Sequence, residues 1–390
     1  MKLVPWSYPL RSLVVRRSSA LFSALGIAMT VAVLCGVFAL RNGFSVLFSE
    51  TGEEDVVVFL RPGATSEGES GIPWDRVQKF KKEVPAILLD AQGSPLAAGE
   101  SYLALYLERI DGGGQVNVPI RGVEPSSFAI HGGRLRVVAG RAFTFGKNEI
   151  LVGAPLSRRI KNCVVGGKIL VNTTEFDVVG IFEYDGAYRS ELWGDVVQIQ
   201  GALQRDFLQR VVARVKPGTD VAKLAQELKD DKQLGSLVLS ERAYFKTQTN
   251  VLGGVLVFLG VFLTAVLGTA AVLGATNTML ASIGSRTREV GILRSLGFPS
   301  SAVLLAFLVE AALIGLAGGI IGCLIVLPLD GIETGTMNWN SFTDTSFAFR
   351  VDAPLLLTAV GLAMLLGILG GLVPAWRAAH LKPVEALRRL

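Results

Sequence analysis

The residues best equipped for chemistry in this 390-residue chain are few and mostly isolated. Its three cysteines (Cys35, Cys163, Cys323) and two histidines (His131, His380) form no zinc-ligand pattern, and Cys163 has no cysteine near it to build a disulfide framework. The neighbouring carboxylates Glu53-Glu54 and Asp230-Asp231 read as solvated surface rather than an acid–base pair. No nucleophile motif, metalloprotease motif or Gly-rich strand-to-helix fingerprint occurs, so no enzymatic chemistry is expected of this chain. Two features stand out. Glu310 is a lone carboxylate inside a long apolar run. The segment SRTREVGILRSLGF, residues 285–298, gathers three arginines and a glutamate between two such runs.

What positions these residues follows from hydropathy. Half of the chain is hydrophobic and only 18% is charged, against about 25% in soluble domains. Four runs, at 18–41, 251–275, 302–329 and 353–373, approach or exceed the roughly 20 residues needed to cross a bilayer. The fold class expected is an integral membrane protein with four transmembrane α-helices. Lys2, Arg11, Arg16 and Arg17 before the first run resemble a secretory signal. The run is longer than a signal's apolar core, and Arg41-Asn42-Gly43 lacks a small-residue cleavage site, so a retained anchor helix is expected.

Lys and Arg concentrate in the N-terminal segment 1–17, the loop 276–301 and the tail 374–390, whereas 330–352 carries four acids against Arg350. The positive-inside rule then puts both termini and the arginine loop in the cytoplasm, with 330–352 a short external loop. The net charge of +5 is thereby a matter of topology, and no nucleic-acid partner is implied.

The remaining segment, 42–250, must lie outside and is long enough for a domain with its own core. Alternating or β-branched runs at 55–60, 102–110, 116–123, 168–171, 175–182 and 211–216 predict strands. Residues 73–82 and a helix capped by Asp220 supply helical periodicity. The expectation is a large extracytoplasmic mixed α/β domain of one or two lobes.

Within the membrane runs, Gly315/Gly319, Gly318/Gly322 and Gly367/Gly371 have small-xxx-small spacing, which lets helices approach closely and predicts a packed bundle or a dimer seam. Counted from a cap at Ser300 or Ser301, Glu310 lies about 14–15 Å along its helix. It is either a proton or cation site or a structural partner of the arginine loop. The loop itself reads as a short amphipathic helix. Arg286 and Glu289 are spaced to pair, and Val290, Leu293 and Leu296 form a stripe. Arg294 complements the dipole, Gly297 suits the left-handed terminal position, and Pro299 blocks continuation.

The stretch NTMLASIGSRTREVGILRSLGFPSSAVLLAFLVEAALIGLAGGIIG and the tail PAWRAAHLKPVEALRRL resemble the FtsX/MacB-type permease domain of ABC transporters. IRGVEPSSF, GRAF, NEILVGAPLSRRI, VGGKILV and FDVVGIF are similar, in order, to a MacB-like periplasmic core domain. The resemblance implies a permease subunit in the bacterial inner membrane that pairs with a separate ATPase holding ATP and Mg, since the chain has no G-x-x-x-x-G-K-[ST] and needs no cofactor of its own. It implies that Arg286, Arg288, Glu289, Gly291, Arg294 and Gly297 couple to that ATPase. A second permease copy or a paralogue is a further implied partner, and a periplasmic membrane-fusion adaptor is compatible. The expected function is ATP-driven motion of the external domain that exports or extracts an amphiphilic cargo. The alternative is a signalling subunit that activates a cell-wall hydrolase.

Overall fold

The computed structural model describes residues 17–49, 51–229, 231, 233–337 and 344–381. Lys2, Arg11, Arg16, Asp230 and the last part of the tail motif, beyond Leu381, lie outside the described residues. Along the chain run α1 (Arg17–Ser49), β1 (Val56–Leu60), β2 (Ile72–Pro73), α2 (Trp74–Glu83), β3 (Ala97–Glu108), β4 (Gln115–Val123), α3 (Pro125–His131), β5 (Leu135–Gly140), β6 (Glu149–Gly153) and α4 (Ala154–Ser157). There follow β7 (Lys168–Val171), β8 (Thr174–Tyr184), β9 (Leu192–Asp195), α5 (Val196–Leu203), β10 (Phe207–Leu208), β11 (Arg210–Arg214), α6 (Val221–Lys229), β12 (Leu237–Ser240) and α7 (Glu241–Gly284). The chain continues with α8 (Thr287–Ser295), α9 (Ser300–Val326), β13 (Glu333–Met337), β14 (Asp344–Ala348) and α10 (Ala353–Ala379).

Among the described residues, four helical windows are long and apolar enough to cross a membrane: Ala20–Phe48, Leu252–Gly284, Ser300–Leu329 and Ala353–Ala379. The chain divides into two compact units. One is helical, built from the segments up to Gly43, Gly254–Ile332 and Ala348 onward; the other is α/β, Phe44–Gly253 with Glu333–Phe347. Strand β13 and β14 as far as Phe347, within the 330–352 loop, therefore belong to the α/β unit.

Small residues set the packing of the helical unit. On α10, Ala359, Ala363, Gly367, Gly371, Ala375 and Ala379 recur every fourth residue and are all buried. This ridge meets Ala311, Gly315 and Gly319 of α9 so closely that a Cβ added at Gly315 would stand 2.5 Å from the Ala363 carbonyl oxygen. On the other side of α9, a Cβ at Gly318 or Gly322 would stand 2.7 Å from the carbonyl of Ala24 or Ala28 on α1. The predicted glycine pairs are thus spent inside one chain. Backbone contact of this kind supplies the dispersion that apolar burial cannot supply in lipid. Thr276 of α7 adds a hydrogen bond to the Gly370 carbonyl (2.8 Å).

In the α/β unit a ten-stranded sheet runs β12-β1-β11-β3-β4-β9-β6-β8-β5, with β7 also paired to β8. The β4–β9 and β6–β8 pairs are parallel and the others antiparallel. Two apolar clusters line it. Around the first, α2 and α6 cover β1 and β11, with Phe59 and Phe80 ring centroids 5.1 Å apart. The second joins Val118, Ile120, Ile150, Val152, Phe176 and Ile199 beneath α5. Each such fully buried side chain contributes about 1.5–3 kcal/mol of transfer free energy. The Asp220 side chain caps α6 as expected, accepting from the Ala222 and Lys223 amides at 3.0 and 3.1 Å. Pro73 stands just before α2 and not within its first turn. Strands β5, β6, β9 and β12 were not anticipated from the pattern, and β3 begins five residues before the predicted 102.

Candidate functional site

The arginine segment folds as α8, a nine-residue helix whose two faces differ. Val290 is fully buried among Ile283, Val303, Phe307 and Ala378, and Gly291 beside it is also buried. Arg286, at the N-terminal boundary, points into the bundle. Its Nη1 donates to Glu310 Oε2 at 3.4 Å, and its Nε lies 3.7 Å from Glu289 Oε2. Arg286 and Glu310 are both nearly buried, at 9% and 7% exposure. A carboxylate and a guanidinium that are each costly in an apolar bundle thus offset one another.

The far end of α8 is closed by a Schellman motif. Gly297 adopts φ +84°, its amide donates to the Arg294 carbonyl (3.1 Å), and the Phe298 amide donates to the Leu293 carbonyl (3.2 Å). A side chain at position 297 would strain that turn. Arg294 Nη1 donates to the Phe298 carbonyl at 3.3 Å, and Pro299 leads directly into α9. The stripe predicted for Val290, Leu293 and Leu296 divides, because Leu296 and Ile292 are 64% and 46% exposed. Of the six residues expected to couple, Arg288 and Glu289 face outward with Ile292 and Leu296, while Arg286 and Gly291 belong to the inner side. Among the described residues, no group of three or more His, Cys, Asp and Glu side chains is placed to hold a metal ion.

A second constellation in the α/β unit escaped the sequence reading. Arg121 and Arg210 are buried at 2% and 0% exposure. Arg121 grips Glu191 through two bonds (2.7 and 2.9 Å) and also reaches Glu67 (2.7 Å) and Glu100 (3.1 Å). Arg210 donates to Glu100 (2.8 Å), Glu67 (2.9 Å) and the Tyr188 hydroxyl (2.9 Å). The Tyr188 ring lies 4.9 Å from the Arg121 guanidinium carbon and 5.2 Å from that of Arg210. Burial by itself pushes the Glu100 carboxyl up, but Arg210, His131 and Arg121 more than reverse this and hold it well below the usual carboxylate range. Burial also drives the Tyr188 phenol well above its ordinary value, so it stays a proton donor. The sheet register creates the cluster, since Arg210 stands opposite Glu100 and Arg121 opposite Tyr102. The one hint in the sequence is Arg121, a charge set within the apolar strand VPIRGV.

Four apolar helices bearing a closed arginine-rich helix, together with a ten-stranded α/β unit, define a multi-pass membrane protein with a large domain outside its helical bundle. Residues 20–231 match the MacB-like periplasmic core domain and residues 257–383 the FtsX-like permease C-terminal domain. The chain belongs to the MacB-like ABC transporter permease family. It is 24% identical, over 94% of its length, to a macrolide export ATP-binding/permease protein MacB of Bdellovibrio bacteriovorus. It is 28% identical, over 57% of its length, to an uncharacterised ABC transporter permease of Methanocaldococcus jannaschii. The chain spans 58% and 57% of those two relatives. The periplasmic region of MacB from Actinobacillus actinomycetemcomitans is similar at a TM-score of 0.37 and 12% identity, covering 51% of this chain and 95% of that one.

Proposed function

We propose that this chain is the transmembrane subunit of an ABC transporter and converts ATP hydrolysis by a separate ATPase into motion of its α/β domain. In this reading both termini and α8 lie in the cytoplasm, and the α/β unit lies outside the inner membrane. The observation that carries it is the geometry of α8. Its inner side is fixed by Val290 and the Arg286–Glu310 pair, its end is closed at Gly297, and Arg288, Glu289, Ile292 and Leu296 face outward. A rigid helix with a mixed charged and apolar outer face suits a protein partner better than bulk water.

Two copies of the chain, or the chain and a paralogue, flank the ATPase pair. A membrane-fusion adaptor completes the assembly where the envelope has two membranes. The cargo is amphiphilic (a lipid, lipoprotein, peptide or drug) and is driven by the outside domain, because the bundle offers few polar groups to a path through it.

The test uses the full chain purified from its native membranes, with vanadate-sensitive ATPase activity measured in the eluate. Arg288→Glu combined with Leu296→Asp changes only the outer face and should abolish the co-purifying activity. Undiminished activity from that variant would refute α8 as the coupling element. Recovery of a cell-wall hydrolase, with no export defect on deletion, would replace transport by the signalling role.

A further inference from the structure

The α/β unit is joined to the apolar helices through three stretches of chain: the end of α1, the start of α7 and the β13–β14 hairpin between α9 and α10. Each of these, inside the α/β unit, places one side chain on the same four-residue turn, Ala187–Ser190. From the end of α1, the Thr51 hydroxyl accepts from the Ala187 amide at 3.1 Å. At the start of α7, Glu241 Oε1 accepts from the Tyr188 hydroxyl at 2.7 Å. From the hairpin, Glu333 Oε1 accepts from Arg189 Nη2 at 2.9 Å. Three separate segments converging on consecutive residues 187, 188 and 189 is more than a compact fold requires.

The turn is in addition bound to the sheet more firmly than a loop normally is. Tyr188 is 1% exposed, and its hydroxyl accepts from Arg210 of β11 at 2.9 Å. Glu191, next after the turn, holds Arg121 of β4 bidentately, and its carbonyl accepts from the Gly153 amide of β6 at 3.0 Å. Entry to the turn is equally tight. Gly186 has φ +139°, and a Cβ there would stand 2.7 Å from Thr51 Cγ2. Gly52 (φ +92°) brings the end of α1 onto the first residues of α7, where an added Cβ would stand 2.7 Å from the Arg242 amide nitrogen.

We propose that the Ala187–Ser190 turn is the joint that fastens all three membrane-linked segments to the sheet, with Tyr188 and Arg189 as its positioning residues. The part of this inference that concerns movement rests on the transport reading: α7 also continues directly from β12 at the β1–β11 edge of the sheet, and it is β4 and β6 that displacement of the helix ends reaches through this turn. Tyr188 serves as a branch point, giving its proton to Glu241 while receiving one hydrogen bond from Arg210. Arg189 is the part-exposed latch to the hairpin, with its side chain 30% exposed against 37% for Glu333.

The test compares the wild-type full chain in lipid nanodiscs with Tyr188→Phe, which keeps the ring and removes both hydroxyl bonds, and with Arg189→Gln, a surface change that leaves the core intact. Hydrogen exchange without nucleotide is read first. Peptides covering 187–191 and 241–246 in Tyr188→Phe, and 333–337 in Arg189→Gln, should exchange about tenfold faster, the factor expected for one net hydrogen bond, while β7 and β8 stay unchanged. Equal exchange in both variants and wild type overturns the joint.

The double variant is then compared with wild type in the complex with the co-purified ATPase, with and without ATP and vanadate. Its ATPase rate should persist, while the nucleotide-dependent change in exchange of β4 and β6 is lost. A wild-type complex with no nucleotide effect sinks the transport reading and the transmitted motion with it, leaving the first measurement to judge the fastening. A nucleotide effect on β4 and β6 that survives in the double variant refutes transmission through this turn.

Discussion

Replacing Arg121 by methionine preserves an unbranched stem of similar length while deleting the charge, and its cost can be worked out group by group. Glu67 and Glu100 each retain Arg210, whereas Glu191 loses both of its guanidinium bonds and keeps only the Trp193 indole N–H at 2.9 Å. The variant therefore leaves one buried carboxylate, Glu191 at 5% exposure, without a counter-charge. Breaking a buried pair from one side costs about 3–5 kcal/mol. For a domain of this size that lowers the melting temperature by roughly 6–20 °C, at about 2–4 °C per kcal/mol.

The assay is thermal unfolding of the full chain in detergent, followed by the near-ultraviolet signal of the α/β unit. Adding Glu191→Gln to Arg121→Met should recover more than half of the loss, because the amide removes the uncompensated charge. The deficit should also shrink in acid. Protonating the carboxylate removes the uncompensated buried charge just as the amide does. A melting point within 2 °C of wild type, or no recovery in the double variant, would show that the cluster is not an electrostatic unit.

The wild-type domain should behave oppositely in acid. Glu149, hydrogen-bonded by Arg141 and the Thr144 amide against the opposing effect of burial, is lowered from 4.5 to about 2, and Glu100 is lowered as well. Folded pKa values below the unfolded ones confer stability that is complete above the ordinary value of 4.5 and lost as pH falls toward 2. Melting points should be level from pH 7 to 5 and then decline; a flat profile down to pH 3 would contradict the pairing. In the helical unit, Gly315→Ala must displace the Ala363 carbonyl, whereas a Cβ at Gly361 meets nothing within 4 Å. Gly315→Ala should therefore lower the melting point in nanodiscs, while Gly361→Ala raises stability by roughly 0.5–1 kcal/mol through helix propensity. Equal behaviour of the two would disprove the close packing of α9 on α10.

Long-period features were legible in the sequence and juxtaposed ones were not. A nearly uncharged run of about 20 residues or more finds no hydrogen-bond partner for its backbone in a bilayer but itself, and so each of the four apolar runs ends up within a long helix. The stop at Gly297 and the Asp220 cap were also readable, since both act within four residues along the chain. A partnership of Glu310 with the arginine loop was one of two readings open in the sequence, but that Arg286, 24 positions away, is the partner needed the α8–α9 turn to close. The buried cluster was opaque for the same reason. Glu67, Glu100, Glu191 and Arg210 look individually like ordinary surface charges; the register of β3, β4 and β11 brings Glu100, Arg121 and Arg210 together, and the segments carrying Glu67 and Glu191 close over them. The small-residue pairs were recognised by spacing, but spacing does not say whether a seam closes within one chain or between two.

That seam has a mechanical corollary. Where Gly315 meets Ala363 and Gly367 meets Ala311, backbone lies on backbone, and no side chain is present to change rotamer and cushion a slip. Rotating α9 against α10 would lift peptide carbonyls over Cα atoms along the whole ridge, while moving both together disturbs nothing between them. The two helices are thus a single plank, and α8, joined to α9 across Pro299 and the Arg286–Glu310 bond, is its handle.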